Sequence, residues 1–450
     1  MLARSRTLTV ILTLATATWV RAQFGAVQII DNTATAVGIS SIATADLNND
    51  GLQDVVTSNG YSTGHITAYL QTGNGLGSAT PILIDILAHQ AEEVTTADLD
   101  GDGWIDVVSV CRLNNEVVWY PNANGAFNMR IVLDDASPFL NGVVAGDLDG
   151  NGSIDLVVIG QHLIDLYRND GAGLFTKEAI LTTSTSPNIL ECMDLVLADI
   201  DGDGDLDPAT AETLGGVDYR NSGDGSFTPG IVDPVTAIMQ RLRLGDVDGD
   251  GDPDMLLSDF LGNMRWYRND GATWTSGGAV LSGVSVKGFG LLDMDADGLV
   301  DLIVASDGKI TFHQGFGDGS FGAATLLFDG GNSFLDEVTL SDLNNDGRPD
   351  VLWSSPAGTL AYHLNESPTA IASSEVEHAF TIHPDPNEAS ITVDFSGNRS
   401  QTLTLLDVNG RTLRIFHALR SGDRIDGRAL AAGTYMFRAG TGETVRWVRP

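Results

Sequence analysis

Residues 246–254 read DVDGDGDPD, and variants of that string return six more times. They are DLNNDGLQD at 46–54, DLDGDGWID at 98–106, DLDGNGSID at 147–155, DIDGDGDLD at 199–207, DMDADGLVD at 293–301 and DLNNDGRPD at 342–350. Their first aspartates stand 52, 49, 52, 47, 47 and 49 residues apart. A fixed period of this length marks a repeat architecture rather than a set of independent motifs. Each loop runs into β-forming apolar residues, as in Val55-Val56, Leu156-Val157-Val158 and Leu302-Ile303-Val304, so each feeds a strand.

Two further markers keep phase with the loop. An aromatic residue follows each first aspartate by about twenty positions: Tyr69, Tyr120, Tyr167, Tyr219, Tyr267, Phe312 and Tyr362. A Gly-rich turn comes next, then an apolar residue opening another strand. Four short strands per unit of 40–50 residues describe a propeller blade, with the repeating aromatic expected in the core between blades rather than as a sugar-stacking platform. Phe24 opens FGAVQIID, which matches FGAATLLFD from Phe321, whereas nothing comparable follows Tyr362. The mature N-terminus is therefore expected to supply the strand the last blade lacks, closing the ring and covering a sheet edge. The expected fold is all-β, a seven-bladed propeller of four-stranded blades over residues 23–365, followed by a small β-sandwich.

The loops carry 27 of the 60 acidic residues. Carboxylates or amides at positions 1, 3, 5 and 9, a glycine at position 6 and a backbone carbonyl at position 7 form an oxygen cage suited to Ca²⁺. No bidentate Glu stands at position 12 and no helix follows, which separates these loops from EF-hands. Up to seven Ca²⁺ sites are expected. Their ligands are Asp46, Asn48, Asp50, Leu52 and Asp54; Asp98, Asp100, Asp102, Trp104 and Asp106; Asp147, Asp149, Asn151, Ser153 and Asp155; Asp199, Asp201, Asp203, Asp205 and Asp207; Asp246, Asp248, Asp250, Asp252 and Asp254; Asp293, Asp295, Asp297, Leu299 and Asp301; Asp342, Asn344, Asp346, Arg348 and Asp350. Asn48, Asn151 and Asn344 each replace a carboxylate, so their loops are expected to bind more weakly than those at 98, 199, 246 and 293.

Composition narrows the partners. The 450 residues carry 24 Lys+Arg against 60 Asp+Glu, a formal net charge of −36, which argues against nucleic acid because that affinity rests on basic side chains. Arg4 and Arg6 precede an apolar run from Leu8 to about Val20, with small or apolar residues before Ala22, so residues 1–22 read as a signal peptide. No transmembrane segment is expected in the mature chain. Cys111 and Cys192 are too few for a disulfide framework and read as buried thiols.

These strings, their trailing apolar strands and the YxNxGxGxF turns resemble the FG-GAP and VCBS repeats of integrin α-chain propellers and their bacterial relatives. The resemblance implies that the loops bind calcium on one face of the disc while ligands approach the other. Pro208-Ala209, interrupting the strand after the fourth loop, is a departure where a bulge or weaker edge is expected. Residues 366–378 have linker composition, and 379–450 hold seven acids and nine arginines, so the charge changes sign there. The strands ITVDF, QTLTLLD, RTLRIF and GTYMFRA fit a β-sandwich. HPDPN, LLDVNGR and AAGTYMFR resemble the type A C-terminal sorting domain of the type IX secretion system, which implies the secretion machinery as partner and a secreted or outer-surface location.

A secreted binding or adhesion module for an extracellular glycan or protein is the function these features favour. Its candidate rim holds His89, Gln90, Glu92, Glu93, Arg112, His162, Glu191, Glu212, Arg241, Lys287, Asp336 and Glu337. A polysaccharide lyase or hydrolase and a structural spacer are the alternatives. No HExxH, GxSxG or GxxxxGK motif is present, so no catalytic residue is assigned.

Overall fold

The computed structural model describes residues 23–366 and 380–449, apart from 61–63, 74, 128, 182–190, 214, 233–237, 272, 332–334, 336, 386–389, 396–400, 407–411, 427–429, 431–432 and 440–443. The segment expected to be a signal peptide, 1–22, most of the expected linker, 367–378, and Asp336 lie outside the described residues, as do Pro386 and most of LLDVNGR. The described residues fall into two compact units, within 20–367 and within 368–450.

The first unit is a succession of four-stranded antiparallel sheets, seven among the described residues. Sheet 1 consists of Ile39–Ala45, Asp54–Asn59, Ile66–Tyr69 and Pro81–Asp85. Sheets 2 to 6 repeat the pattern, their first strands being Ala91–Ala97, Leu140–Gly146, Cys192–Ala198, Met239–Gly245 and Val286–Leu292. Sheet 7 takes Val338–Ser341, Asp350–Ser355 and Thr359–His363 from the end of the unit and Gln28–Asp31 from its beginning. Gln23 and Phe24 also pair with Glu366 and Asn365. First strands of neighbouring sheets pack together throughout, and that of sheet 7 returns to that of sheet 1.

The second strands, such as Asp106–Cys111 and Asp254–Asp259, are buried along their whole length. That burial on both faces explains why they read as apolar runs rather than as alternating strands. Pro208 brings no bulge of its own, but the ladder to the third strand starts one pair late, at Ala209 and Asp218, where the other sheets also pair the residue before, as Leu156 with Tyr167. Pro208 sits second in Asp207–Glu212, opposite Leu197, where its missing N–H is tolerated at the strand start. The bulge in that sheet lies between Cys192 and Asp194, and the same bulge occurs in the first strand of every sheet from 1 to 6.

The aromatic marker is in phase in only five sheets. Tyr69, Tyr120, Tyr167, Tyr219 and Tyr267 are fully buried. Tyr69, Tyr120 and Tyr167 donate their hydroxyls to Asp31, Asp85 and Asp134 on the outer strand of the preceding sheet, at 2.7–2.9 Å. In sheets 6 and 7 the equivalent ladder positions belong to His313 and His363, opposite Leu302 and Val351. Phe312 and Tyr362 stand one residue earlier, where Trp119 and Trp266 stand in sheets 2 and 5. A single step along a strand sends a side chain to the other face.

The asparagine that ends each YxN triplet, and Asn365 in the matching place after His363, have a structural task. The amide Nδ2 of Asn122, Asn169, Asn221, Asn269 and Asn365 donates at 2.6–2.8 Å to the carbonyl of Leu47, Leu99, Leu148, Ile200 and Met294, each in the loop of the preceding sheet. Gln71 does the same from sheet 1 to Leu343 in sheet 7 at 2.8 Å. Sheet 6 has Gly315 in that place, and there the backbone N–H of Gly319 donates instead to the Val247 carbonyl of the preceding loop at 3.2 Å.

In the second unit, Phe380–Asp385, Ser390–Phe395 and Asp423–Asp426 form one sheet, while Thr412–Leu419, Gln401–Leu406, Gly433–Ala439 and Thr444–Arg449 form another. Ile391, Val393 and Ile425 of the first share a core with Leu403, Leu405 and Phe437 of the second. Cys111 and Cys192 are buried free thiols. Among the described residues no helix is long and apolar enough to cross a membrane.

Candidate metal loops and the axial cavity

The seven loops share one hydrogen-bonding scheme. The position-1 aspartate accepts the N–H of the position-6 glycine at 2.8–3.1 Å in every copy. Those glycines have φ between +82° and +98°, a conformation that disfavours side chains. The side chain at position 5 accepts the N–H of position 7 at 2.6–3.1 Å, which fixes Leu52, Trp104, Ser153, Asp205, Asp252, Leu299 and Arg348 on the loop's far side.

Position 9 is a different kind of carboxylate. Asp54, Asp106, Asp155, Asp207, Asp254, Asp301 and Asp350 open the second strands and are 0–1% exposed. One oxygen of each accepts the N–H of loop position 2 at 2.8–3.1 Å. The other accepts the N–H of the residue ending the YxN triplet, or of Gln71 or Gly315, at 2.6–2.9 Å. Burial pushes Asp54, Asp106, Asp207, Asp254 and Asp350 up to about 6, against the pull of those N–H groups. Each therefore ties its loop to the sheet, while spare lone pairs remain for a cation.

Five loops bring three carboxylate oxygens within 4.8 Å of one another: Asp98, Asp100 and Asp106; Asp147, Asp149 and Asp155; Asp199, Asp201 and Asp203; Asp246, Asp248 and Asp250; Asp293, Asp295 and Asp297. The loops at 46 and 342, with Asn48 and Asn344 at position 3, form no such group among the described residues. The donor set fits a hard divalent ion. Oδ1 of Asp147, Asp201 and Asp295 is buried with no hydrogen-bond partner, and Asp295 is 1% exposed. Burial, with Asp297 and Asp293 beside it, pushes Asp295 up to about 6, a cost that a bound cation would relieve.

The opposite ends of the first strands frame a polar cavity of about 370 Å³. The bulge residues Ser40, Glu92, Asn141, Met193, Gln240 and Lys287 line it, together with Glu93, Arg112 and Arg241. A bulge re-aims one side chain per strand, and here it does so six times around one axis. Below the mouth, Arg241 pairs with Glu337 at 3.1 Å and Arg243 with Asp194 at 2.9 Å, while Ser41 donates to Glu93 at 3.0 Å. Burial, then the nearby charges of Asp194 and Glu337, push Glu93 up to about 8 despite Arg241. The cluster thus balances two guanidinium groups with two carboxylates and one protonated acid.

The sequence-predicted rim is brought together only in part. Glu92, Glu93, Arg112, Arg241 and Lys287 line the cavity; Glu191 and Glu337 hold Arg112 and Arg241. His89, Gln90 and His162 do not line it, and Glu212 is buried in sheet 4, accepting from Tyr219 and Thr210. Sequence reasoning missed Ser40, Asn141, Met193 and Gln240. Their signal is a constant offset, six residues before the first aspartate of each loop.

Four stretches, 46–109, 98–158, 147–208 and 293–353, match the FG-GAP-like repeat. They leave the loop at 246–254 outside. No curated protein matches the chain. Among solved structures, BBS1N in complex with ARL6DN is 12% identical with a TM-score of 0.53, covering 76% of this chain and 98% of that one. YCF48 from Cyanidioschyzon merolae is 11% identical with a TM-score of 0.53, covering 75% and 98%. An Agrocybe aegerita protein, described by its specific recognition of non-reducing terminal N-acetylglucosamine, is 19% identical with a TM-score of 0.49, covering 64% and 80%. The chain carries FG-GAP-like repeats on a β-propeller fold.

Proposed function

We propose that the chain is an exported, calcium-stabilised, seven-bladed propeller that binds an extracellular glycan or protein at the mouth of its axial cavity. In this reading residues 1–22 direct export, and 379–450 form a β-sandwich sorting domain recognised by type IX secretion machinery, leaving the propeller secreted or on the outer surface. The observation that carries the binding role is the ring of bulges. A repeat that needed only to fold would gain nothing from aiming Ser40, Glu92, Asn141, Gln240 and Lys287 into one cavity. Their mixture of hydroxyl, amide, carboxylate and ammonium offers donors and acceptors in alternation, as a polyhydroxylated ligand requires. Loops at the same strand ends expose Leu113, Phe139, Phe260 and Leu261, which favours a protein ligand as the second reading.

The test is a binding screen of the mature chain against a broad glycan array, with Glu92→Ala and Lys287→Ala in parallel. Binding to one glycan class that either substitution weakens at least tenfold supports the sugar reading. Silence on the array, with capture of a cell-surface protein lost on Phe260→Ser, would favour the protein ligand.

A further inference from the structure

Three of the acidic loops already hold a positive charge. Arg168, Arg220 and Arg268 occupy the middle of the YRN triplets on the third strands of sheets 3, 4 and 5. Alternation along the strand sends them away from the buried tyrosine and over their own loop. Arg168 Nη1 lies 3.0 Å from Asp149 Oδ2, Arg220 Nη1 lies 3.5 Å from Asp201 Oδ2, and Arg268 Nε lies 3.1 Å from Asp248 Oδ2. All three carboxylates are at position 3. Arg268 also reaches Asp250 at 2.9 Å. Arg168 and Arg220 continue to the next sheet, donating to the carbonyls of Asp224 and Gly271.

Loops 2 and 6 lack this device. The matching positions are Pro121 and Gln314. Gln314 gives Asp295 Oδ2 only a neutral amide at 3.2 Å, and Asp295 Oδ1 stays buried without a partner. Loop 6 therefore combines three crowded carboxylates and an orphaned buried oxygen, and although Arg348 of the next loop bears on Asp295 from a distance, no ion pair forms within 4 Å among the described residues.

We infer that Arg168, Arg220 and Arg268 act as built-in counter-charges, so that the loops at 98–106 and 293–301 depend on a bound divalent ion while those at 147–155, 199–207 and 246–254 hold their shape without one. A guanidinium a few ångströms from a divalent ion also repels it, lowering affinity at those three loops. Number of aspartates and affinity are then uncoupled, because the five-aspartate loops at 199 and 246 both carry arginines while the four-aspartate loops at 98 and 293 do not. The inference rests on the calcium reading.

Hydrogen exchange of the full chain, read loop by loop by mass spectrometry in EDTA and in graded Ca²⁺, tests it. Amides of 98–106 and 293–301 are expected to slow at least tenfold on adding Ca²⁺, at concentrations where the three arginine-bearing loops change less than threefold. Arg220→Gln should move 199–207 into the responding group. Arg268→Gln, at a half-exposed side chain, is the second variant should the first fail to fold. Equal responses in all five wild-type loops, or loops that stay unresponsive after arginine removal while 293–301 responds, overturn the arginine role and leave calcium standing. No response at any loop in millimolar Ca²⁺ overturns the calcium reading and this inference with it.

Discussion

The two ends of each first strand solve the same problem in opposite ways. At the loop end, carboxylates crowd within 4.8 Å of one another, and in the loop at 293–301, which has no ion pair within 4 Å among the described residues, a buried oxygen of Asp295 has no protein partner. At the cavity end, Glu93, Asp194 and Glu337 also bear on one another, yet Arg241 and Arg243 sit among them and Glu93 keeps a proton. Charge balanced from within indicates a frame built to stay as it is; charge left unbalanced indicates a place for something that arrives. The lining above the balanced cluster, where Lys287 faces the cavity without an ion pair within 4 Å among the described residues, belongs to the second kind.

The contrast can be broken most forcefully within one loop. Asp254→Ala removes a buried carboxylate that holds two backbone N–H groups, so a loss of about 3–5 kcal/mol is expected in urea unfolding. Asp250→Ala, at an exposed position of the same loop, should cost under about 1 kcal/mol in EDTA. Similar losses would mean that position 9 is no more structural than the rest. At the cavity end, Arg241→Met leaves buried Glu337 with only Arg243, 4.0 Å away, and thermal unfolding should register about 2–4 kcal/mol.

A smaller effect probes the clamps between sheets. Asn269→Ala frees the carbonyl of Ile200 and should cost about 1–2 kcal/mol in urea unfolding. A titration probes the proton at Glu93. Its carboxyl titrates near 8 when folded and near 4.5 when free, so the native state carries an extra proton between those values. Its contribution to stability is complete below about 4.5 and is lost as pH rises through 8. Glu93→Gln should flatten the urea midpoint between pH 5 and 8.5 relative to the parent, and an unchanged slope would reject the assignment.

The loops were legible because every ligand position repeats seven times and each residue type there has one chemical reading. Strand order followed from the same period, as did the match of Phe24 to Phe321. The cavity was not legible, because a bulge leaves no residue-type signature: Ser40, Glu92, Asn141, Met193, Gln240 and Lys287 share a position and nothing else. The shifted aromatics of sheets 6 and 7 misled for a related reason. Counting finds Phe312 and Tyr362 in phase to within a residue, but a pleated strand turns one residue into the other face. The arginines of YRN looked like ordinary turn composition because their partners lie a strand away.

Gln28 reaches Tyr362 across 334 positions of sequence, and sheet 7 is complete only when both are present. Chain entropy sets a toll of roughly 5 kcal/mol on joining ends so far apart. It also sets an order of events, since a chain emerging from its N-terminus holds that first strand unpaired until the last repeat has appeared. Completing sheet 7 is thus the final act of synthesis, and a chain truncated anywhere before Thr359 keeps an open edge.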